Sequence, residues 1–223
     1  MLAALAEVRD PELDEAITEL GFVAGVEAAD TTVRVRLRLP TYFCAPNFSY
    51  LMVADARRAV RALPGVCHVE VALDDHFAAA QINAGVAAGS GFEDSFPGLA
   101  DDDLDDLRRQ FRRKALLARQ HRLCAPLLED GRSPAELAGM RLGDLQTGPE
   151  TVAYRRPRAE LGLAAGPDAP LLVDIEGHAV APDAAAAHLR RCRTVAVSIE
   201  GNAVFCRGLL ATRYATQSLE EQP

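Results

Sequence analysis

Residues 36–60 read RLRLPTYFCAPNFSYLMVADARRAV, and their pattern changes once, around Cys44. Upstream, TTVRVRLRL (31–39) alternates Val33, Val35, Leu37 and Leu39 with Arg34, Arg36 and Arg38. A period of two predicts a strand with one buried face and one solvated, basic face. Downstream a helix pattern runs to about Leu63, with Asn47 or Ser49 as its cap and Pro64-Gly65 as its stop. A strand-to-helix junction therefore holds a single cysteine. Unpaired backbone N–H groups and the positive end of a helix stabilise a thiolate, so cysteines placed there tend to be reactive. Cys44 is the best candidate in the chain for a functional sulfur.

The flanking segments extend this junction into a small fold. DPELDEAITEL (10–20) places Leu13, Ile17 and Leu20 at helical spacing, with Asp10 as N-cap, Pro11 at the first helical position and Gly21 just past the end. FVAGVEAAD (22–30) reads as a strand that turns at Asp30 into the 31–39 strand, and VCHVEVAL (66–73) reads as a third. Helix, strand, strand, helix, strand in about 75 residues predicts an α/β sandwich, its helices packed on one face of a small sheet.

Beyond Asp74 the signal turns helical. DDHFAAAQINAGVAAG (74–89) predicts a helix and GFEDSFPG (91–98) a loop. DDDLDDLRRQFRRKALLARQHRLCAPLL (101–128) opens with Asp and closes with basic residues, the order that a helix dipole favours. Its Leu104, Leu107, Phe111, Ala115 and Ala118 share one face. SPAELAGM (133–140) offers a capping box of Ser133 and Glu136. After Gly148, ETVAYRR (150–156), PLLVDIEGHAV (170–180) and RTVAVSIEGNAVFCRGLLATRY (193–214) have strand character, with a hairpin turn at 200–202. The expected fold class is α+β in three segments: an α/β module over 1–75, a helical extension over 76–147 and a β-rich unit over 148–223. The last boundary falls between about 146 and 150.

With 24 basic and 32 acidic residues the chain has a formal charge of −8, which argues against a nucleic-acid partner. MLAALAEVRDPEL (1–13) lacks a basic flank before a long apolar core, and no stretch is read as reaching transmembrane length, so no membrane is expected and the setting is cytoplasmic. Five cysteines stand at 44, 67, 124, 192 and 206 without a CxxC, as suits a reducing compartment. His188 and Cys192, four apart, make a second candidate; with His178 and Cys206 on flanking strands they form a His2Cys2 set suited to zinc. His121 and Cys124 are a weaker pair, and Cys67 reads as core. No motif for a nucleotide cofactor is present.

VRDPEL (8–13), LGFVAGVEA (20–28), VRVRLRLPTYFCAPNFSYLMVADARRAV (33–60) and LPGVCHVEVAL (63–73) resemble, in order and spacing, the metal-sulfur cluster assembly factor family. That family includes SufT-type and PaaD-type bacterial proteins and the eukaryotic subunits that target cytosolic iron-sulfur clusters to client enzymes. The resemblance covers residues 5 to 90. Asp10-Pro11-Glu12 matches the family's acidic signature, Thr41 and Cys44 match its Thr/Cys loop, and His76 falls where the eukaryotic branch has a histidine. Bacterial members commonly have Pro directly after the cysteine, whereas here Ala45 intervenes before Pro46.

The resemblance implies a maturation factor, not itself an enzyme, that delivers an iron-sulfur cluster or iron to a client apo-metalloenzyme. Cargo would sit on Cys44 with Thr41, Asp10 and Glu12, and His76 is a further candidate ligand. One thiolate falls short of a cluster's usual ligation. The missing ligands would come from a homodimer mate, a small thiol, Asp10 or Glu12, or the client. Two readings stand beside it: a metal-free scaffold for an apo-enzyme, and a thiol-dependent enzyme with Cys44 as nucleophile and His76 as base.

Overall fold

The computed structural model describes residues 1–97 and 104–215. The chain packs as two units: Met1–Asp106 with Gly201–Pro223, and Leu107–Glu200. Neither coincides with the three segments expected from composition, because the end of the chain returns to the first unit.

In the first unit α1 (Leu2–Leu5) precedes β1 (Val23–Ala29) and β2 (Thr32–Leu37), which pair antiparallel around Asp30. The alternation in β2 is realised: Val33, Val35 and Leu37 are buried while Arg34 and Arg36 face solvent. α2 (Pro46–Arg61) then crosses to β3 (His68–Leu73), which pairs parallel to β2 from Thr32↔His68 to Leu37↔Leu73. Its apolar side, with Leu51, Met52, Val53, Ala56 and Val60, is buried. Gly65, in the left-handed region at φ 79°, turns the chain after α2. α3 (Ala79–Ala88) and α4 (Phe92–Ser95) follow; α4 is a single turn within the segment expected to be a loop.

One expected element is absent. Residues 10–20 do not form a helix: Asp10 does cap a first turn, but Asp14 takes a left-handed φ of 52° and stops it. The chain doubles back so that Ile17 N–H reaches Val8 O at 2.9 Å and Arg9 bridges Ala16. Leu13, Ala16, Ile17 and Leu20 are buried all the same, so the apolar spacing marked core positions within a loop.

The second unit is built on α5 (Leu104–Glu129), of which the residues from Leu107 on belong here, with α6 (Pro134–Gly139), a 3-10 turn at Leu142–Asp144, α7 (Pro149–Glu160) and the first part of α8 (Ala185–Arg213). The acidic start expected at 101–103 lies outside the described residues. The capping box of α6 forms, Ser133 Oγ accepting from Glu136 N and Ser133 N donating to Glu136 at 2.7 Å. Leu116, Leu123, Cys124, Tyr154, Leu171 and Leu189 contribute to its core.

The α+β class holds, but the β-rich C-terminal unit does not. Residues 150–156 lie in α7, and 193–213 belong to α8, so the expected hairpin turn at 200–202 is continuous helix. Only isolated bridges, such as Val173↔Ala179, remain of the strand pattern. Leu189, Cys192, Ala196, Ile199, Ala203 and Leu210 are all buried and fall three, four or seven apart, which is a helical stripe. Packing of that stripe outweighs the strand preference of Val195, Val197, Val204 and Phe205. By length and composition alone α8 can also cross a membrane, against the expectation that no stretch does; 22% of its most apolar window is buried in the protein.

Candidate functional site

The two parallel strands, β2 and β3, end side by side at Leu37 and Leu73, and the loops that leave their carboxyl ends are tied together. Asp74 N–H donates to Leu37 O at 2.8 Å, and Phe77 N–H to Tyr42 O at 3.2 Å. Such carboxyl ends are where open α/β sheets gather functional loops. Cys44 sits in the first of these loops, two residues before α2 begins. Pro46 takes the first turn of α2, where its missing N–H costs nothing, and Ala45 occupies the N-cap. No acidic residue stands in that turn and Ala45 offers no side-chain cap; within the turn Asn47 Oδ1 accepts the Phe48 N–H at 2.9 Å.

The Cys44 thiol is half-buried. Thr41 Oγ1 lies 3.3 Å from Cys44 Sγ and accepts the Phe43 N–H at 3.2 Å, so its own proton is available to the sulfur. Behind the loop stands His76, 4% exposed. Its Nδ1 accepts the Ala78 N–H at 3.2 Å, which leaves Nε2 protonated to donate to Cys44 O at 2.7 Å. Burial holds the imidazole pKa below its ordinary value, the bond to Cys44 O opposes this, and the Arg213 charge adds to it. Both ring nitrogens are thus engaged by backbone, and His76 acts on the carbonyl of Cys44 rather than on its sulfur.

Asp10 comes from the doubled-back loop. Oδ1 accepts the Glu12 and Leu13 N–H groups, each at 2.8 Å, and the residue is 7% exposed. Desolvation pushes its carboxyl pKa up to about 6, against those two hydrogen bonds; the Glu12 and Glu15 charges push the same way as burial. Glu12 is half-buried beside it.

Cys206 is the residue that the strand reading misplaced. It lies on α8 within the first unit, half-buried. Burial first, and then the charges of Asp10, Cys44 and Glu12, raise its thiol pKa to about 11 against the opposing Arg207. The signal that could have found it is the helical spacing of the buried α8 residues.

Beside the loop three aromatic rings face outward. Tyr42, Phe43 and Phe77 are 44%, 77% and 47% exposed, with the Tyr42 and Phe43 centroids 5.1 Å apart and those of Phe43 and Phe77 6.1 Å apart.

Comparison with known proteins finds a likeness in the first part of this unit. Residues 1–71 match the family described as iron-sulfur cluster assembly protein. Over 71 residues the chain is 39% identical to an iron-sulfur cluster carrier protein of Synechocystis sp., a stretch that is 32% of this chain and 20% of that protein. The chain thus spans about a fifth of the length of that relative. No solved structure matches. The matched part of the assembly module contains Asp10, Glu12, Thr41 and Cys44; His76 and Cys206 lie beyond it.

Of the remaining candidates only Cys67 lies within residues 1–71. His188 and Cys192 do meet, Nε2 to Sγ 3.4 Å, but around the buried Gln120 amide. Gln120 Oε1 accepts from Tyr154 OH and from Val173 N–H, so this is a hydrogen-bonded core network. His178 is exposed and paired with Asp174 at 3.2 Å, and Cys206 stands about 21 Å from Cys192 along the same helix, so the His2Cys2 set is not assembled among the described residues. His121 borders a cavity of about 510 Å³, while Cys124 is fully buried, its thiol pushed up to about 12 by burial. Cys67, expected in the core, is exposed. Among the described residues no three His, Cys, Asp or Glu side chains converge closely enough to hold a metal ion.

Proposed function

We propose that the chain carries an iron-sulfur cluster, or iron, on Cys44 and passes it to a client apo-metalloenzyme, and that it is not itself an enzyme. The observation that supports this most is the placement of Cys44 within the matched residues, half-exposed between Thr41 and the first turn of α2, which carries no acidic residue. Such a sulfur serves as a ligand in its thiolate form. Thr41 stabilises that form by hydrogen bonding, and His76 fixes the backbone from which it projects. Incomplete enclosure suits a carrier, since a cargo held by few protein ligands is readily displaced by the client's own.

Tyr42, Phe43 and Phe77 supply the surface on which the client docks beside the cargo. Exposed aromatics close to one another are the type of group that anchors protein interfaces. The proposed setting is the cytoplasm, where five unpaired cysteines stay reduced.

Anaerobic reconstitution with ferrous iron and sulfide tests the reading. Purified chain is expected to take up iron and acquire visible absorption, and Cys44→Ala to lose both together with client activation. Full client activation by Cys44→Ala would defeat it. The same aromatic patch favours one second reading, a metal-free scaffold that holds an apo-enzyme; a colourless, iron-free product that still binds the client would select it. Cys44 as an enzymatic nucleophile lacks its base, because neither His76 nitrogen is available to the sulfur.

A further inference from the structure

β3 is the last strand of its sheet, in the order β1-β2-β3, and its outer edge is only partly closed. In a parallel pair, alternate residues turn their backbone groups to the neighbouring strand and to the far side. His68 N–H donates to Thr31 O and Asp74 N–H to Leu37 O, so the even-numbered positions of β3 bond to β2. Val69, Val71 and Leu73 therefore turn theirs outward. At Leu73 the Asn83 side chain of α3 closes the edge: Leu73 N–H donates to its Oδ1 at 2.8 Å, and its Nδ2 donates to Leu73 O at 3.1 Å. These are the two bonds that the backbone of a further strand would make. Among the described residues nothing does the same for Val69 and Val71, which line a groove of about 490 Å³.

The groove is basic. Arg57 and Arg61, one turn apart on α2, stand on its helix side, and Arg34 and His68 come from the solvent face of the sheet. Among the described residues Glu70 is the one acid lining it, and it is paired with Arg34 at 2.8 Å. No carboxylate among them is paired with Arg57 or Arg61. Two copies of this edge would set like charges against each other, which works against pairing between copies of the chain. Arg57 stands about 16 Å along α2 from Pro46, so the groove is separate from the Cys44 loop.

We propose that the β3 edge takes up an extended acidic segment of a partner protein as a fourth strand. Main-chain hydrogen bonds to Val69 and Val71 supply the affinity. Carboxylates on alternate residues supply the specificity, meeting Arg57 and Arg61 on one side of the added strand and Arg34 and His68 on the other. The inference does not depend on the carrier role, since no metal takes part.

The full chain, free of metal, tests it with three octapeptides as probes: alternating Glu and Thr, alternating Lys and Thr, and the Glu–Thr peptide methylated on every peptide nitrogen. The Glu–Thr peptide is expected to bind saturably and to slow amide exchange at Val69 and Val71 at least tenfold by nuclear magnetic resonance. The Lys–Thr and the methylated peptides should bind at least tenfold more weakly, and the double variant Arg57→Glu, Arg61→Glu should prefer the Lys–Thr peptide. Unchanged exchange at Val69 and Val71 under saturating Glu–Thr peptide would overturn the proposal. So would equal binding of the methylated peptide, which would reduce the arginines to a charged patch, or a concentration-dependent dimer of the chain protected at the same two amides.

Discussion

His76 donates to the Cys44 carbonyl and accepts from Ala78, so a single ring joins the two loops that leave β2 and β3. Removing it strands a buried acceptor and a buried donor. His76→Ala is expected to destabilise the protein by about 2–4 kcal/mol in urea titrations and to speed alkylation of Cys44 by freeing its loop. Asp10 makes a pH prediction. Its folded carboxyl binds a proton up to about pH 6, against an ordinary value of 3.8, so folding takes up a proton between the two. The associated stability is complete below 3.8 and is lost as pH rises through 6, a loss on the order of 3 kcal/mol. Asp10→Asn keeps an acceptor for the Glu12 and Leu13 N–H groups without the charge. It should be more stable than the parent at pH 8, and that advantage should shrink by about 2 kcal/mol at pH 4.5 in the same urea titration.

At the scale of elements, α8 shows how a helix can look like a hairpin. Gly201 and Asn202 between valine-rich segments carry a turn signature, yet both sit inside the helix. A Cβ built on Gly201 meets nothing within 4 Å. Gly201→Ala should therefore raise stability by about 0.5–1 kcal/mol, read as a higher urea midpoint with unchanged slope. A hairpin there would respond in the opposite sense. β2 and α2 were legible because each follows its own period and is bounded by Pro and Gly. The 10–20 segment was not, because its spacing and cap fit a helix and only the left-handed Asp14 breaks it. That conformation is imposed by the closing bridge between Arg9 and Ala16, which local propensity does not encode.

At the scale of the whole molecule, the last described turn of α8 packs on the first unit. Arg213 supplies its guanidinium to Leu39 O and Asp75, and stacks near Tyr214 with its carbon 5.3 Å from the ring centre. Arg213→Ala should cost about 1–2 kcal/mol and raise amide exchange at residues 38–45 and 74–78, as hydrogen-exchange mass spectrometry would report. Exchange confined to the α8 terminus would show that the arginine does not brace the Cys44 loop.

The sequence by itself determined the strand-loop-helix at Cys44, the Thr41 and Asp10 positions and the likeness of residues 1–71 to iron-sulfur cluster assembly proteins, because each depends on short-range periodicity or on a local motif. Only the tertiary structure decided that His76 grips a backbone carbonyl, that His188 and Cys192 close around Gln120, and that Cys206 stands on a helix rather than a strand. The first two relations join residues 32 and 68 positions apart, and all three follow from which helix face finds a partner to bury against, a choice made by the assembled core rather than by any local stretch of chain.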